Sequence, residues 1–159
     1  MADQPNPEFL RRAIELARQN VLAGTGGPFA AVIVRDGVVI AEAANSVTTT
    51  NDPTAHGEVN AIRKACAALG AFSLEGCEIY SSCEPCPMCL TAIYWARLKA
   101  LYYGCSQVDA ARAGFDDAFL YGELSKPAEE RAIPAVQMIP GEAWEAFAAW
   151  IASPGRVDY

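Results

Sequence analysis

Residues 77–104, CEIYSSCEPCPMCLTAIYWARLKALYYG, decide the fold. A β-rich run from Cys77 to Ser82 is followed by a proline-bounded loop, a helical stretch from about Pro87 to Arg97, and a second β-rich run from Leu98 to Gly104. Strand, crossover helix and strand in that order predict parallel neighbours in one sheet. Toward the N-terminus, Asn6 and Pro7 suit an N-cap and a first helical position. Phe9, Leu10, Ala13, Ile14, Leu16, Ala17 and Val21 then recur at helical spacing as far as Gly24. After GTGGP, the run FAAVIVRDGVVIAEAA holds two β-rich segments joined at Asp36-Gly37, which predicts an antiparallel hairpin. The polar loop NSVTTTNDPT leads to a helix that starts near His56, has Thr54 as candidate cap, runs through Ala68 and ends at Gly70. Toward the C-terminus, Ser106 to Pro134 is less regular and predicts one or two short helices, and Ala135 to Ile139 predicts a last strand. EAWEAFAAWIA predicts a compact helix, and Ser153 to Tyr159 a tail. Residues 1–159 therefore read as a single α/β domain, without internal repeat or linker.

The composition narrows the partners. With 52% hydrophobic and 19% charged residues, a chain of 159 can bury a real core and does not belong with disordered tails. Twelve Lys+Arg against nineteen Asp+Glu give a formal charge of −7, which argues against a long phosphate backbone as partner. No nucleic-acid partner is therefore expected. No apolar run approaches the roughly 20 residues that span a bilayer, and MADQPNPEFLRR lacks the basic-then-apolar order of a signal peptide. The expectation is a soluble, cytoplasmic protein with no membrane partner. Six cysteines in that setting read as thiols or metal ligands rather than as a disulfide framework.

The chemistry lies in His56-Gly57-Glu58 and in Pro85-Cys86-Pro87-Met88-Cys89. Two cysteines three apart at a helix start can turn both sulfurs to one metal, and the positive helix end favours their thiolates. His56 adds a third ligand. Three protein ligands leave a Zn²⁺ ion one tetrahedral position for water, which separates a catalytic site from a closed structural one. Glu58, two residues from His56, is placed to take a proton from that water rather than to bind metal. Taken alone, Cys-x-x-Cys also suits a redox pair, and a lone histidine is commonly just a satisfied polar residue; it is the combination that points to one zinc ion per chain. Cys83 extends the series to C-x₂-C-x₂-C, so His56, Cys83, Cys86 and Cys89 compose an alternative, closed structural site. The open His56, Cys86, Cys89 set is preferred because closing the shell leaves Glu58 without a water to act on. Cys66, Cys77 and Cys105 lie in apolar patterns and read as small core residues.

These motifs resemble the cytidine deaminase superfamily, and within it the short bacterial zinc-dependent guanine deaminases. The resemblance runs nearly end to end, through GGPFAAVIV, TTTNDPTAHGEVNAIRKAC, YSSCEPCPMCLTAIYWAR, GFDDAF and the end at Tyr159. It implies a three-layer α/β/α sandwich with a mixed five-stranded sheet, and the hydrolysis of guanine to xanthine and ammonia. Glu58 would move the proton from water to the leaving amine. Asn45 matches a position that hydrogen-bonds the base, Phe29 and Trp95 match ring-contacting positions, and Asp117 an acidic residue near the purine amino group. The ordinary alternatives are a turn residue for Asn45, core aromatics for Phe29 and Trp95, and a helix cap for Asp117. Such relatives usually have alanine between the histidine and the glutamate. Gly57 departs from them, yet keeps the backbone N–H used toward the substrate.

The resemblance also implies a homodimer in which residues 141–159 are exchanged and Tyr159 closes the partner's pocket. Trp144, Phe147, Trp150 and Ile151 make an apolar stripe that needs a surface to cover it. Other readings stay open: deamination of cytosine, guanosine or an aminated triazine, deamination of adenosine in tRNA, a thiol oxidoreductase, and a non-catalytic zinc scaffold.

Overall fold

The computed structural model describes residues 5–115 and 117–159, so Met1 to Gln4 and Asp116 of GFDD lie outside the described residues. The chain divides into two units, 1–118 and 119–159.

In the first unit, helix α1 (Pro7–Leu22) starts as expected, with the Asn6 side chain accepting the Glu8 N–H and proline at the first position. Strands β1 (Ala30–Arg35) and β2 (Val38–Ala44) form the hairpin. Asp36 and Gly37 both take positive φ, 51° and 75°, which matches the twist of the paired strands. A register shift between Ile33 and Val34 bends the pair. The expected polar loop contains one short helix, α2 (Val47–Thr50). Helix α3 (Gly57–Leu69) follows, capped at its start by His56 and ended by Gly70 at φ 62°. Thr54 is not the cap, because its N–H and hydroxyl are both bound to Asp52 Oδ1, at 2.8 and 2.7 Å.

Strand β3 (Cys77–Cys83), helix α4 (Pro87–Trp95) and strand β4 (Ala100–Cys105) make the expected crossover, with β3 and β4 parallel. β1 pairs antiparallel with both β2 and β3, so the sheet is mixed, in the order β2-β1-β3-β4. Alternation along the strands sends Ala31, Ile33 and Ile79 toward Ala61 and Ala65 of α3 and Ile93 of α4. Val32, Val34 and Tyr80 go to the opposite face, against Ala13, Phe9 and Leu10 of α1. Both faces of the sheet are thus covered, and the unit is a layered α/β structure. Helix α5 (Gln107–Arg112) packs beside β4 and opens with a capping box between Ser106 and Asp109.

Helix α6 (Asp117–Ser125) leads into the second unit, which holds a single 3₁₀ turn at Ala128–Glu130 and helix α7 (Pro140–Ala152). The expected fifth strand at 135–139 does not form, and the sheet has four strands among the described residues. Proline flanks the segment on both sides, at 134 and 140, and Ile139 turns the chain with φ 42°, so little of the segment is left to pair. Val136 and Met138 are exposed. The stripe Trp144, Phe147, Trp150 and Ile151 is exposed as well. Cys77 is buried and Cys66 half-buried as expected, but Cys105, at the end of β4, is exposed rather than core. No helix among the described residues is long and apolar enough to cross a membrane.

Candidate active site

Two helix starts meet at the C-terminal end of β3. His56 caps α3, Cys86 caps α4, and Cys89 stands three residues into α4. His56 Nδ1 lies 3.6 Å from Cys86 Sγ and 3.4 Å from Cys89 Sγ, and the three donor atoms fall within 4.8 Å of one another. A tetrahedral zinc ion, with Zn–S about 2.3 Å and Zn–N about 2.0–2.1 Å, requires nitrogen and sulfur about 3.5 Å apart. The donor set therefore fits zinc in both chemistry and spacing. Cys89 holds Cys86 down to about 4 by donating a hydrogen bond to it, and is itself pushed up in return. Hydrogen bonding to Cys86 raises His56. Cys83 stands outside this cluster; its thiol points to the Ser106 carbonyl at 3.8 Å.

Glu58, at the second position of α3, is buried, 4% exposed, and burial raises its pKa. Ser81 of β3 donates a hydrogen bond to Glu58 Oε1 at 3.0 Å and fixes one carboxylate oxygen. The Glu58 backbone N–H and the Cys89 thiol also donate to the carboxylate. A carboxylate in this setting can take up a proton and give it back.

Beside these groups lies a cavity of about 320 Å³, lined by Phe29, Asn45, His56, Glu58, Phe115 and Asp117, with Gly27, Val47, Thr48, Glu84 and Cys86. It is large enough for a bicyclic base. Phe29 and Phe115 meet edge to face with ring centres 4.7 Å apart and make an apolar wall. Asn45 is buried at the end of β2, and its Oδ1 accepts the Gly27 and Val47 N–H groups at 3.4 and 3.2 Å. Those donors fix the amide orientation, leaving Nδ2 without a hydrogen bond among the described residues, as a donor at the cavity wall. The loop lies close enough that a Cβ at Gly26 would overlap the Asn45 carbonyl oxygen, so only glycine fits there.

The structure thus brings Phe29, Asn45, His56, Glu58, Cys86 and Asp117 to one cavity, with Cys89 buried at the metal cluster. Trp95 does not line it; the ring is 62% exposed near the end of α4, with the Arg97 guanidinium 5.9 Å from its centre. Tyr159, in the second unit, packs edge to face on Trp150 with ring centres 6.3 Å apart. Glu84 was missed by sequence reasoning. Its carboxylate accepts the Gln107 N–H at 3.0 Å and so ties the start of α5 to the cavity rim. The only signal was its place inside Cys83-Glu84-Pro85-Cys86.

Residues 3–105 match the cytidine and deoxycytidylate deaminase zinc-binding region. The chain belongs to this deaminase family. Guanine deaminase of Bacillus subtilis is 59% identical over 151 residues, which cover 95% of this deaminase and 97% of that protein. The crystal structure of a Bacillus subtilis guanine deaminase superposes with a TM-score of 0.95 at 57% identity, covering 98% of this chain and 99% of the other. A homologue solved in complex with 2,6-diaminopurine has a TM-score of 0.68 at 34% identity, covering 72% of this chain and 64% of the other. A tRNA-specific adenosine deaminase of Agrobacterium fabrum is 51% identical over 77 residues, only 48% of this deaminase and 51% of that protein.

Proposed function

We propose that this enzyme hydrolyses guanine to xanthine and ammonia, using one zinc ion held by His56, Cys86 and Cys89. The observation that carries the reading is a buried Glu58, held by Ser81, beside a zinc-spaced donor triad at the wall of a cavity sized for a purine. When bound, Zn²⁺ lowers the pKa of a water molecule toward about 7 and so supplies a nucleophile at neutral pH. Glu58 carries the proton from the water to the leaving amine at purine C2. Phe29 and Phe115 hold the ring by its apolar faces, Asn45 Nδ2 donates to a ring acceptor, and the Gly57 N–H points a further donor at the base. Asp117 receives the amino group. The 2,6-diaminopurine bound by a homologue supports a purine base as occupant. Similarity to guanine deaminase at 59% identity over 95% of this chain supports guanine over an RNA loop. So does the charge of −7. The test is ammonia release by the purified protein from guanine, guanosine, adenine, cytosine and a triazine; guanine should lead by at least about tenfold in kcat/KM.

Asp117 has a test of its own. It begins α6, where either Asp or Asn serves the helix start, so Asp117→Asn should move the melting temperature by no more than about 2 °C. Loss of a charged partner for the amino group should lower guanine kcat/KM by about 10- to 100-fold. A melting shift of several degrees with unchanged kinetics would make Asp117 a structural cap.

The proposal extends to a cytoplasmic homodimer with exchanged tails. The exposed stripe Trp144, Phe147, Trp150 and Ile151 is more apolar surface than one helix leaves to water. Covering it with a second copy gives the Tyr159 ring a place over the partner's cavity, where it excludes water. Deletion of residues 156–159 should keep zinc and fold and lower turnover by about tenfold or more. Mixing this truncation with Glu58→Gln chains should restore part of the activity, because one pocket of the mixed dimer regains both groups. Full activity of the truncated protein argues against the lid.

A further inference from the structure

Gly57 sits between a metal-site histidine and the proton-carrying glutamate, and its surroundings leave no room for a side chain. A Cβ there would stand 2.8 Å from Ala30 Cα, 3.1 Å from Ala30 N and 3.2 Å from Ala30 C. All three atoms are backbone, in a strand hydrogen-bonded on both sides, so no rotamer change relieves the overlap. The Ala30 N–H is also held by Ser82 Oγ of β3 at 3.1 Å. Alternation puts the Ala30 methyl on the same face as Val32 and Val34, toward α1, and Ala30 is fully buried. The strand therefore has its own methyl behind it and the glycine in front. It cannot retreat.

We infer that Gly57 and Ala30 form one spacing unit, in which the single methyl allowed across β1 is carried by the strand rather than the helix, and that this spacing sets where Glu58 stands. Gly57 is a positioning residue in this inference, which rests on the proton-carrying role of Glu58. A methyl at 57 pushes on the firmer partner, the central strand, and so displaces the start of α3. His56 and Glu58 move with it, and Glu58 is drawn away from Ser81. Removing the Ala30 methyl opens space on the α1 side and lets the strand yield to a methyl at 57. Alanine at 57 with glycine at 30 is thus the volume-matched alternative.

The experiment is a cycle of Gly57→Ala, Ala30→Gly and the double variant. It is read by guanine kcat and KM, by the chelator concentration that strips zinc, and by the melting temperature of the apoprotein. Gly57→Ala should lower kcat by about tenfold or more with KM changed less than about threefold, since a displacement well under 1 Å at the reacting groups already costs rate. It should also release zinc at lower chelator concentration and melt earlier. Ala30→Gly alone should melt earlier because it empties a buried methyl site. The double variant should recover kcat to within about threefold of the parent, and zinc retention with it. Parental kcat in Gly57→Ala, or a loss that Ala30→Gly does not restore, overturns the inference. Recovery of melting temperature without recovery of kcat overturns it too, because the pair would then be packing alone. A parent that releases no ammonia from guanine defeats the guanine reading instead, and the coupling of positions 30 and 57 is still read from zinc retention and apoprotein melting.

Discussion

Glu58→Gln keeps its zinc and loses about 10²- to 10⁴-fold of guanine turnover. The amide is isosteric with the carboxylate, so it can still accept the Ser81 hydroxyl, and the candidate metal donors His56, Cys86 and Cys89 are untouched. The amide has no proton to take up or return. KM should change little, because Phe29, Phe115 and Asn45, which also line the cavity, stand on other elements. Metal analysis and a turnover assay on the same preparation decide the matter. A variant that loses its zinc, or one that turns over normally, removes Glu58 from the proton-carrying role. The buried position also makes this substitution mild for folding: Glu58 is pushed up by desolvation, and a neutral amide pays no such penalty. Unchanged or slightly raised thermal stability beside a collapsed rate is therefore the expected pair of results.

The parts of this fold that the sequence revealed are those specified by local chemistry. Asn6-Pro7, Asp36-Gly37 and Gly70 each impose a backbone conformation on their own, and the helix start, hairpin and helix end lie at those residues. That His56, Cys86 and Cys89 would come together as a candidate metal site was legible because both motifs open helices, where a residue's neighbours fix its direction. What was not legible depended on which contacts a residue makes rather than on its type. Thr54 resembles a cap until Asp52 is seen to hold its hydroxyl. The run 135–139 has strand composition, yet strand formation depends on a neighbour and on the prolines beside it. Cys105 lies in an apolar run, but the end of β4 leaves it exposed. Trp95 was drawn toward the pocket by resemblance, and the geometry of α4 leaves its ring outside the lining. Gly57 stood out only as a departure from the usual alanine; the close approach at that position is to a backbone on another strand, 27 residues back in sequence, with no local mark.

The three cysteines of Cys83, Cys86 and Cys89 have identical spacing, and geometry separates them. Cys86→Ala or Cys89→Ala should give protein with little or no zinc and turnover reduced beyond about 10³-fold, since either removes one of three donors. The remaining pair cannot hold the ion against a mild chelator, because each lost thiolate removes both a bond and a compensating charge. Cys86 is also the sulfur held low by a hydrogen bond from Cys89, so Cys86→Ala removes the acceptor of that bond as well. Cys83→Ala should behave differently. Its thiol is directed at the Ser106 carbonyl, away from the donor cluster, and the variant should keep one zinc per chain and activity within about threefold of the parent. The cost is a small buried volume, about 1 kcal/mol, read as a modest fall in melting temperature. Zinc-free Cys83→Ala protein would mean a four-donor closed site, and Glu58 would then have no open position beside it to serve. Retention of zinc in Cys83→Ala, with its loss in both neighbours, fixes the site as three donors with room for a fourth, non-protein partner.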